Sequence, residues 1–343
     1  GIDYKAYKEK FVEVSRFHDA LEKYTPYLLE ELEGLAAAAG VPYDDLLIMQ
    51  HANEEFWIAS LLRPIMVQTI NPDMPERCST IASIGNNGSP TLACQNLDWT
   101  TQLDGKQVLF RTDSLTEGME IMTPSVAGSL SLNGINSHGI CVGDNALIDL
   151  RPSPNGLPVF AIYRGIMECT TFKEAVEFLN KVPHASGLNW LIGGPGDVAM
   201  FEASAGKVVK YEPQGHSKLL YHTNHPIVND DLDRRLYDQR LGLVSPEAIL
   251  IPRSSYLRWA SLQHRLGGRD GDLSVEDIKS AISAMDDPTY PICRLPPHEG
   301  GEQDGYVGMS LIAAIWELDA HSPKMHLATG PAATTPFRSF TFD

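Results

Sequence analysis

Cys78 heads the run Cys78-Ser79-Thr80-Ile81-Ala82-Ser83-Ile84, which ends at the turn signal Gly85-Asn86-Asn87-Gly88. A second apolar run follows and closes in Gln95-Asn96-Leu97-Asp98-Trp99. Two such runs around a Gly/Asn turn predict a β-hairpin. Antiparallel pairing then draws the thiol at one strand's start toward the Asp98 carboxylate at the other's end. A thiol beside a charged partner is a candidate for nucleophilic catalysis. Asn145 in Gly143-Asp144-Asn145-Ala146-Leu147, Asn224 in His222-Thr223-Asn224-His225 and Arg294 in Tyr290-Pro291-Ile292-Cys293-Arg294 add amides and a cation. Each has a plainer reading when taken singly: a cap for Asp98, a turn former for Asn224, a surface ion-pair member for Arg294. His222 and His225 lie three apart with no obvious third ligand, so no metal site is expected. Gly193-Gly194-Pro195-Gly196 precedes a strand-like run instead of opening a helix, and reads as a turn.

Most of the segment before Cys78 reads as helical. Tyr7, Phe11, Val14, Phe17 and Leu21 form an apolar stripe at helical spacing. Thr25 caps a second helix with Pro26 at its first position, and Gly40 ends it. Pro42 opens a third helix running toward Trp57. The stretch from Arg63 to Arg77 holds Pro64, Pro72 and Pro75 and reads as a loop. Beyond Cys78, short β-type runs predominate, among them Thr80–Ile84, Leu92–Gln95, Val198–Glu202 and Ser310–Leu318. Amphipathic helices interrupt them at Phe172–Val182 and at Val275–Met285, where Ser274 and Asp277 form a capping box. This order predicts a layered α+β domain.

Composition narrows the partners. The chain has 343 residues, 43% hydrophobic and 21% charged, which is the balance of a soluble globular protein. A net charge of −17 argues against nucleic acid or an anionic membrane as partner. No apolar stretch reaches the ~18–20 residues of a membrane span. The five cysteines, Cys78, Cys94, Cys141, Cys169 and Cys293, include no C-x-x-C pair, so reduced thiols are expected in place of a disulfide framework. The N-terminus does not read as a signal peptide, and the C-terminus is not of the Ser-Lys-Leu peroxisomal type, so a cytoplasmic location is expected.

Taken together and in order, Arg77-Cys78-Ser79-Thr80, Gln95-Asn96-Leu97-Asp98-Trp99, Asn136-Ser137-His138-Gly139, Asn145-Ala146-Leu147, His222-Thr223-Asn224-His225 and Tyr290-Pro291-Ile292-Cys293-Arg294 resemble the isopenicillin N acyltransferase family. That family belongs to the N-terminal-nucleophile hydrolases. The resemblance implies a four-layer αββα sandwich, with residues 1–77 as a helical propeptide that remains as a small subunit and 78–343 as the catalytic domain. It implies self-cleavage between Arg77 and Cys78, after which the α-amine of Cys78 serves as base for its own thiol. In the same reading Asp98 orients the amine, Asn224 donates to the oxyanion, and Arg294 lies near the thiol and Asp98. Asn145 and Asp144 are carried as further oxyanion or substrate contacts.

The chain also departs from its relatives. Gly143-Asp144 stands where they keep an Asn-Tyr pair. Gln95 stands where bile salt hydrolases keep an arginine, and the residue before the cut is Arg77, not glycine. The implied function is acyl transfer through a Cys78 thioester to an amine acceptor. No cofactor is implied, and acyl-coenzyme A is among the donors. Amide hydrolysis through the same intermediate is the alternative, and a non-catalytic binding protein a third. The stretches Leu147–Pro158 and Asn229–Pro252 are expected to shape the pocket.

Overall fold

A computed structural model describes residues 4–51, 53–54, 78–86, 88–212, 218–234, 250–296 and 308–342. The N-terminal helices are α1 (Tyr4–Val14), α2 (Phe17–Tyr24), α3 (Tyr27–Ala39) and α4 (Tyr43–Met49). The stripe expected as one helix from Tyr4 to Tyr24 is broken between Val14 and Phe17. Pro26 has helical dihedrals at the head of α3, and Gly40 ends it at φ 67°, the left-handed conformation that costs glycine least. Arg77 and the end of the third predicted helix, toward Trp57, lie outside the described residues.

The strands fall into two antiparallel sheets. The first runs β10 (Leu219–His222), β1 (Ser79–Ser83), β2 (Thr91–Thr100), β11 (Gly308–Leu318), β12 (Lys324–Ala328), β13 (Arg338–Thr341). The second runs in chain order through β3 (Gln107–Asp113), β4 (Glu120–Val126), β5 (Gly134–Asn136), β6 (Cys141–Ala146), β7 (Leu188–Gly194), β8 (Asp197–Ala203) and β9 (Val208–Tyr211). The predicted hairpin is β1 and β2, with Ser79 paired to Asn96 and Ile81 to Cys94. The Gly193–Gly196 turn links β7 to β8, with Gly196 at φ 83°.

Strand alternation sorts the side chains into layers. Ala82, Ala93, Leu97, Ala314 and Trp316 from the first sheet meet Met122, Ile135, Cys141 and Leu191 from the second in one apolar core. Residues of opposite parity on the first sheet, Ile81, Cys94, Ala313 and Ile315, pack against α7 (Leu250–Leu266) and α8 (Val275–Ile282). The outer face of the second sheet packs on α5 (Val159–Met167), α6 (Phe172–Lys181) and the N-terminal helices. The order is helix, sheet, sheet, helix, the αββα sandwich. The predicted capping box of Ser274 with Asp277 is present at α8, and the structure adds a second, Thr171 with Glu174 at α6.

The N-terminal helices are built into the outer helical layer. Leu21, Leu28, Leu32 and Leu46 share a core with Phe160, Ile166 and Trp190. Polar ties reinforce the packing: Arg164 pairs with Glu31 at 2.9 Å, and the Gln50 side chain holds the 128–130 turn. No described helix is long and apolar enough to cross a membrane.

Candidate active site

Cys78 precedes β1 and is buried, with its residue in the core between the sheets. Extending the β1–β2 register by one places it across from Leu97. Its main chain is gripped at both ends. The backbone N–H donates to Asn224 Oδ1 at 2.9 Å, and the carbonyl accepts from Arg258 Nη1 at 2.6 Å. Arg258 also donates to Ser79 Oγ at 3.1 Å and through Nη2 to Asn224 Oδ1 at 2.8 Å. One planar guanidinium thus spans Cys78, Ser79 and Asn224, the forked geometry that a lysine cannot reproduce.

Asn224 is itself held. Its N–H donates to Ser255 Oγ at 2.7 Å and its Nδ2 to the Ala146 carbonyl at 3.1 Å. A carboxamide nitrogen carries two hydrogens, so one remains for another acceptor. The loop behind it is anchored by Glu202, which is fully buried. Its carboxylate accepts from the backbone N–H groups of Ile227, Val228 and Asn229 and pairs with His222 Nε2 at 2.8 Å. Burial pushes the Glu202 carboxyl up, but His222 and these N–H donors outweigh it and hold it below the usual range. His222 Nδ1 meets the Thr223 carbonyl at 2.7 Å, so both ring nitrogens face acceptors. His222 and His225 serve as structural side chains, and no cluster suited to a metal occurs among the described residues.

Asn145 lies on β6, its side chain fully buried. Its Oδ1 accepts from Thr80 Oγ1 at 2.7 Å and Asn189 Nδ2 at 2.8 Å. These bonds aim its Nδ2 elsewhere, and that nitrogen has no hydrogen-bond partner among the described residues. A buried donor left unmatched costs about 1–3 kcal/mol, so a group that must accept there is favoured. Thr80 stands two residues from Cys78 on the same strand face, which puts this donor near the thiol's layer.

Asp144 is turned into a separate buried network. Its Oδ1 accepts from Gln95 Nε2 at 2.8 Å and from the Tyr163 hydroxyl, while Asn133 donates to Gln95 Oε1 at 2.9 Å. Burial lifts Asp144 to about 6 despite these donors. Gly143 lets Gln95 in: a Cβ there would lie 3.1 Å from Gln95 Oε1. Gln95, in the place of the arginine expected in relatives, therefore reads as a structural bridge between the sheets.

Asp98 lies one residue past Leu97, on the helix-facing side of β2 with Asn96. Its carboxylate accepts from Ser310 Oγ at 2.6 Å, and the same hydroxyl accepts from the Arg294 N–H at 2.9 Å. A β-bulge between Ser310 and Ile312 turns Ser310 toward Asp98. Arg294 thus joins the Asp98 cluster through its backbone. Its guanidinium forms no ion pair among the described residues. A cation that does contact Cys78 is Arg258, through the carbonyl. The sequence reading missed it, though a signal exists: Ser254, Ser255, Leu262 and Leu266 flank Arg258 on one buried helical stripe. An arginine inside such a stripe is rarely idle.

Residues 85–293 match the family described as acyl-coenzyme A:6-aminopenicillanic acid acyl-transferase. A curated relative, the 40 kDa form of acyl-coenzyme A:6-aminopenicillanic-acid-acyltransferase of Emericella nidulans, is 26% identical over 232 residues, or 66% of this chain. The chain spans 58% of that relative's length. Among solved structures, penicillin V acylase from Agrobacterium tumefaciens is similar at 16% identity and a TM-score of 0.47, over 78% of this chain and 86% of that one. An N-acylethanolamine-hydrolyzing acid amidase ortholog from Caenorhabditis elegans is similar at 14% and 0.45, over 70% and 92%.

Proposed function

Because the chain belongs to the acyl-coenzyme A:6-aminopenicillanic acid acyl-transferase family, we propose that it is a self-processing cysteine enzyme that carries an acyl group as a thioester on Cys78 and delivers it to an amine. In processing, the Cys78 thiol attacks the Arg77 carbonyl carbon, the C–N bond breaks, and the thiol proton passes to the departing nitrogen. Water then opens the thioester and leaves an Arg77 carboxylate and a free Cys78 amine. In turnover that amine, with an ordinary pKa of roughly 7.7–8, takes the thiol proton. The thiolate attacks the donor carbonyl, and the ammonium returns the proton to the leaving group. The acceptor amine completes the cycle by attacking the thioester, losing its proton and freeing the thiol.

The observation that carries this reading is the grip on the Cys78 main chain, with its nitrogen on Asn224 Oδ1 and its carbonyl on Arg258. A freed amine would inherit the acceptor that its amide N–H already uses. Asp98 approaches from the helix-facing side, where it would orient that amine and not the thiol. The unmatched Asn145 Nδ2 and the second hydrogen of Asn224 Nδ2 supply two donors for an oxyanion, and losing one such donor typically costs ~100–1000-fold in rate. The other four thiols are poor rivals: burial pushes Cys94 and Cys141 well up, Cys169 to about 12, and Cys293 upward.

Intact-mass measurement during turnover of an acyl thioester, with and without amines, tests the proposal. The expected masses are pieces 1–77 and 78–343, with the acyl group on the second. Cys78→Ala should stay whole and unacylated. Amide product assigns transfer, and free acid alone assigns hydrolysis. An active wild-type chain that keeps the bond before Cys78 intact would sink the mechanism.

A further inference from the structure

Leu220 on β10 and Met200 on β8 both pack in the core between the sheets. Strand alternation therefore points His222 and Glu202, two residues beyond each, into the same layer. They meet there across the sheets, Nε2 to Oε1 at 2.8 Å, with both side chains fully buried. Tyr211 covers the pair, its ring edge-on to His222 with centroids 5.0 Å apart. His222 is paired with Thr80 on β1 and is the last residue of β10. Residues 223–231, which follow it, form neither helix nor strand. Glu202 holds this irregular stretch a second time beyond Asn224. Its Oε1 accepts from the Ile227 N–H at 2.7 Å, and its Oε2 from the Val228 and Asn229 N–H groups at 2.9 and 2.7 Å. One carboxylate thus grips the chain on both sides of Asn224, at His222 before it and from Ile227 after it.

Stability alone does not call for such a group. A buried ionised pair typically contributes no more than apolar side chains of the same volume. A saturated carboxylate in a dry site supplies direction instead, because its partners have one arrangement and its bonds are strong. Direction matters at Asn224. Its Oδ1 holds the Cys78 N–H, and its Nδ2 gives one hydrogen to the Ala146 carbonyl. The other hydrogen lies in the same amide plane, so any turn of the residue re-aims it. Ser255 restrains Asn224 through the backbone N–H, from the α7 side. Glu202 restrains the chain from the second sheet.

We propose that Glu202 is a positioning residue: it touches no reacting atom, and it fixes the direction in which Asn224 offers its free hydrogen. The inference rests on Asn224 being an oxyanion donor for acyl transfer at Cys78. The processed protein is assayed on an acyl thioester as wild type, Glu202→Gln, Glu202→Asp, Asn224→Ala and the double variant Glu202→Gln with Asn224→Ala. Glutamine keeps the volume but turns an NH2 toward groups that donate. It should lower kcat by about 30-fold or more with KM within threefold, since misplacement by ~1 Å costs about 100-fold. Aspartate keeps the charge and should lose less. Once Asn224 is alanine, the glutamine change should lower kcat less than threefold, while its thermal midpoint falls as much as before. Losses in kcat that multiply, or a folded Glu202→Gln within threefold of wild type, would overturn the proposal. Where Glu202→Gln does not fold, Glu202→Asp carries the same comparison. The side-chain NH2 signals of Asn224 in protein labelled with 15N-asparagine, identified by their loss in Asn224→Ala, need no turnover. If they broaden or shift in Glu202→Gln, the positioning role stands even where Cys78 takes no acyl group. If they do not change, it fails even where Cys78 is acylated.

Discussion

Replacing Arg258 with methionine should separate the rate from the stability. The side chain is 1% exposed and donates to Cys78 O at 2.6 Å and Asn224 Oδ1 at 2.8 Å. Methionine keeps the length and apolar bulk but removes the charge and every donor. A hydrogen bond from a charged donor contributes about 1.5–3 kcal/mol, so the two short ones amount to roughly 3–6 kcal/mol before offsets. Removing a buried charge offsets several kcal/mol of desolvation, which leaves a net cost of roughly 0–3 kcal/mol. The rate has no such offset. Asn224 loses a second anchor on its oxygen, and Cys78 loses the donor that sets its carbonyl plane. Misplacement by ~1 Å costs about 100-fold. The expected result is a fall in kcat/KM of about 100-fold or more, slower self-cleavage, and a thermal midpoint lowered by only a few degrees. His225 gives an independent readout. Burial first, then His222 and Arg258, hold it down at about 4, so its pKa should rise in the variant, as read by NMR titration. A folded Arg258→Met protein that cleaves and turns over within threefold of wild type, with His225 titrating as before, would refute the positioning argument.

Two pH-linked predictions follow from buried titratable groups. Asp144 is lifted by burial to about 6 from 3.8, so its folded form binds the proton more tightly and its burial weakens the fold as pH rises through about 4 to 6. That shift corresponds to roughly 3 kcal/mol. Asp144→Asn keeps an acceptor for Gln95 and Tyr163, and its stability relative to wild type should improve by roughly 2–3 kcal/mol between pH 4 and pH 7 in urea titrations; an equal difference at both pH values would show that the carboxyl carries no such cost. His51, stacked on Phe17 and edge-on to Phe11 and Phe160, is depressed by burial to about 4 from 6.5. Its neutral burial is fully favourable above pH 6.5 and is lost as pH falls toward 4, about 2 kcal/mol by pH 5. His51→Phe should therefore gain about 2 kcal/mol on wild type between pH 7 and pH 5, and parallel pH profiles would exclude the linkage.

Much of the frame was legible because it rests on local rules. The β1–β2 hairpin, the Gly40 stop and the Ser274–Asp277 capping box follow from turn residues, backbone freedom and side-chain reach within a few residues. What escaped is set by contacts distant in sequence. β2 runs on to Thr100, past the predicted Gln95, because β11 pairs with it along its whole length. Every residue of α5 is buried, so the helix has no solvent-facing polar stripe to mark it. The site divides along the same line. Asn224 was found from a distinctive tetrapeptide. Arg258, 180 residues from Cys78, is tied to it only by the packing of α7 on the first sheet. Asp144 and Gln95 each looked like departures from a family pattern. Together they form a bridge whose meaning depends on both being present.

The same long-range logic explains how one thiol among five can be singled out. Burial alone makes a cysteine inert, since it favours the neutral thiol. Cys94 and Cys141 illustrate this, being enclosed by apolar neighbours in the two sheets. Cys78 is also buried, but its main chain meets a carboxamide and a guanidinium at the edge of that core. A nucleophile there can be sheltered from water while its own backbone is the polar group being oriented. On the proposed reading, a base on the same residue as the thiol would remove the need for a second side chain to enter the apolar layer. That constraint would account for polar contacts that cluster on the Cys78 nitrogen and carbonyl.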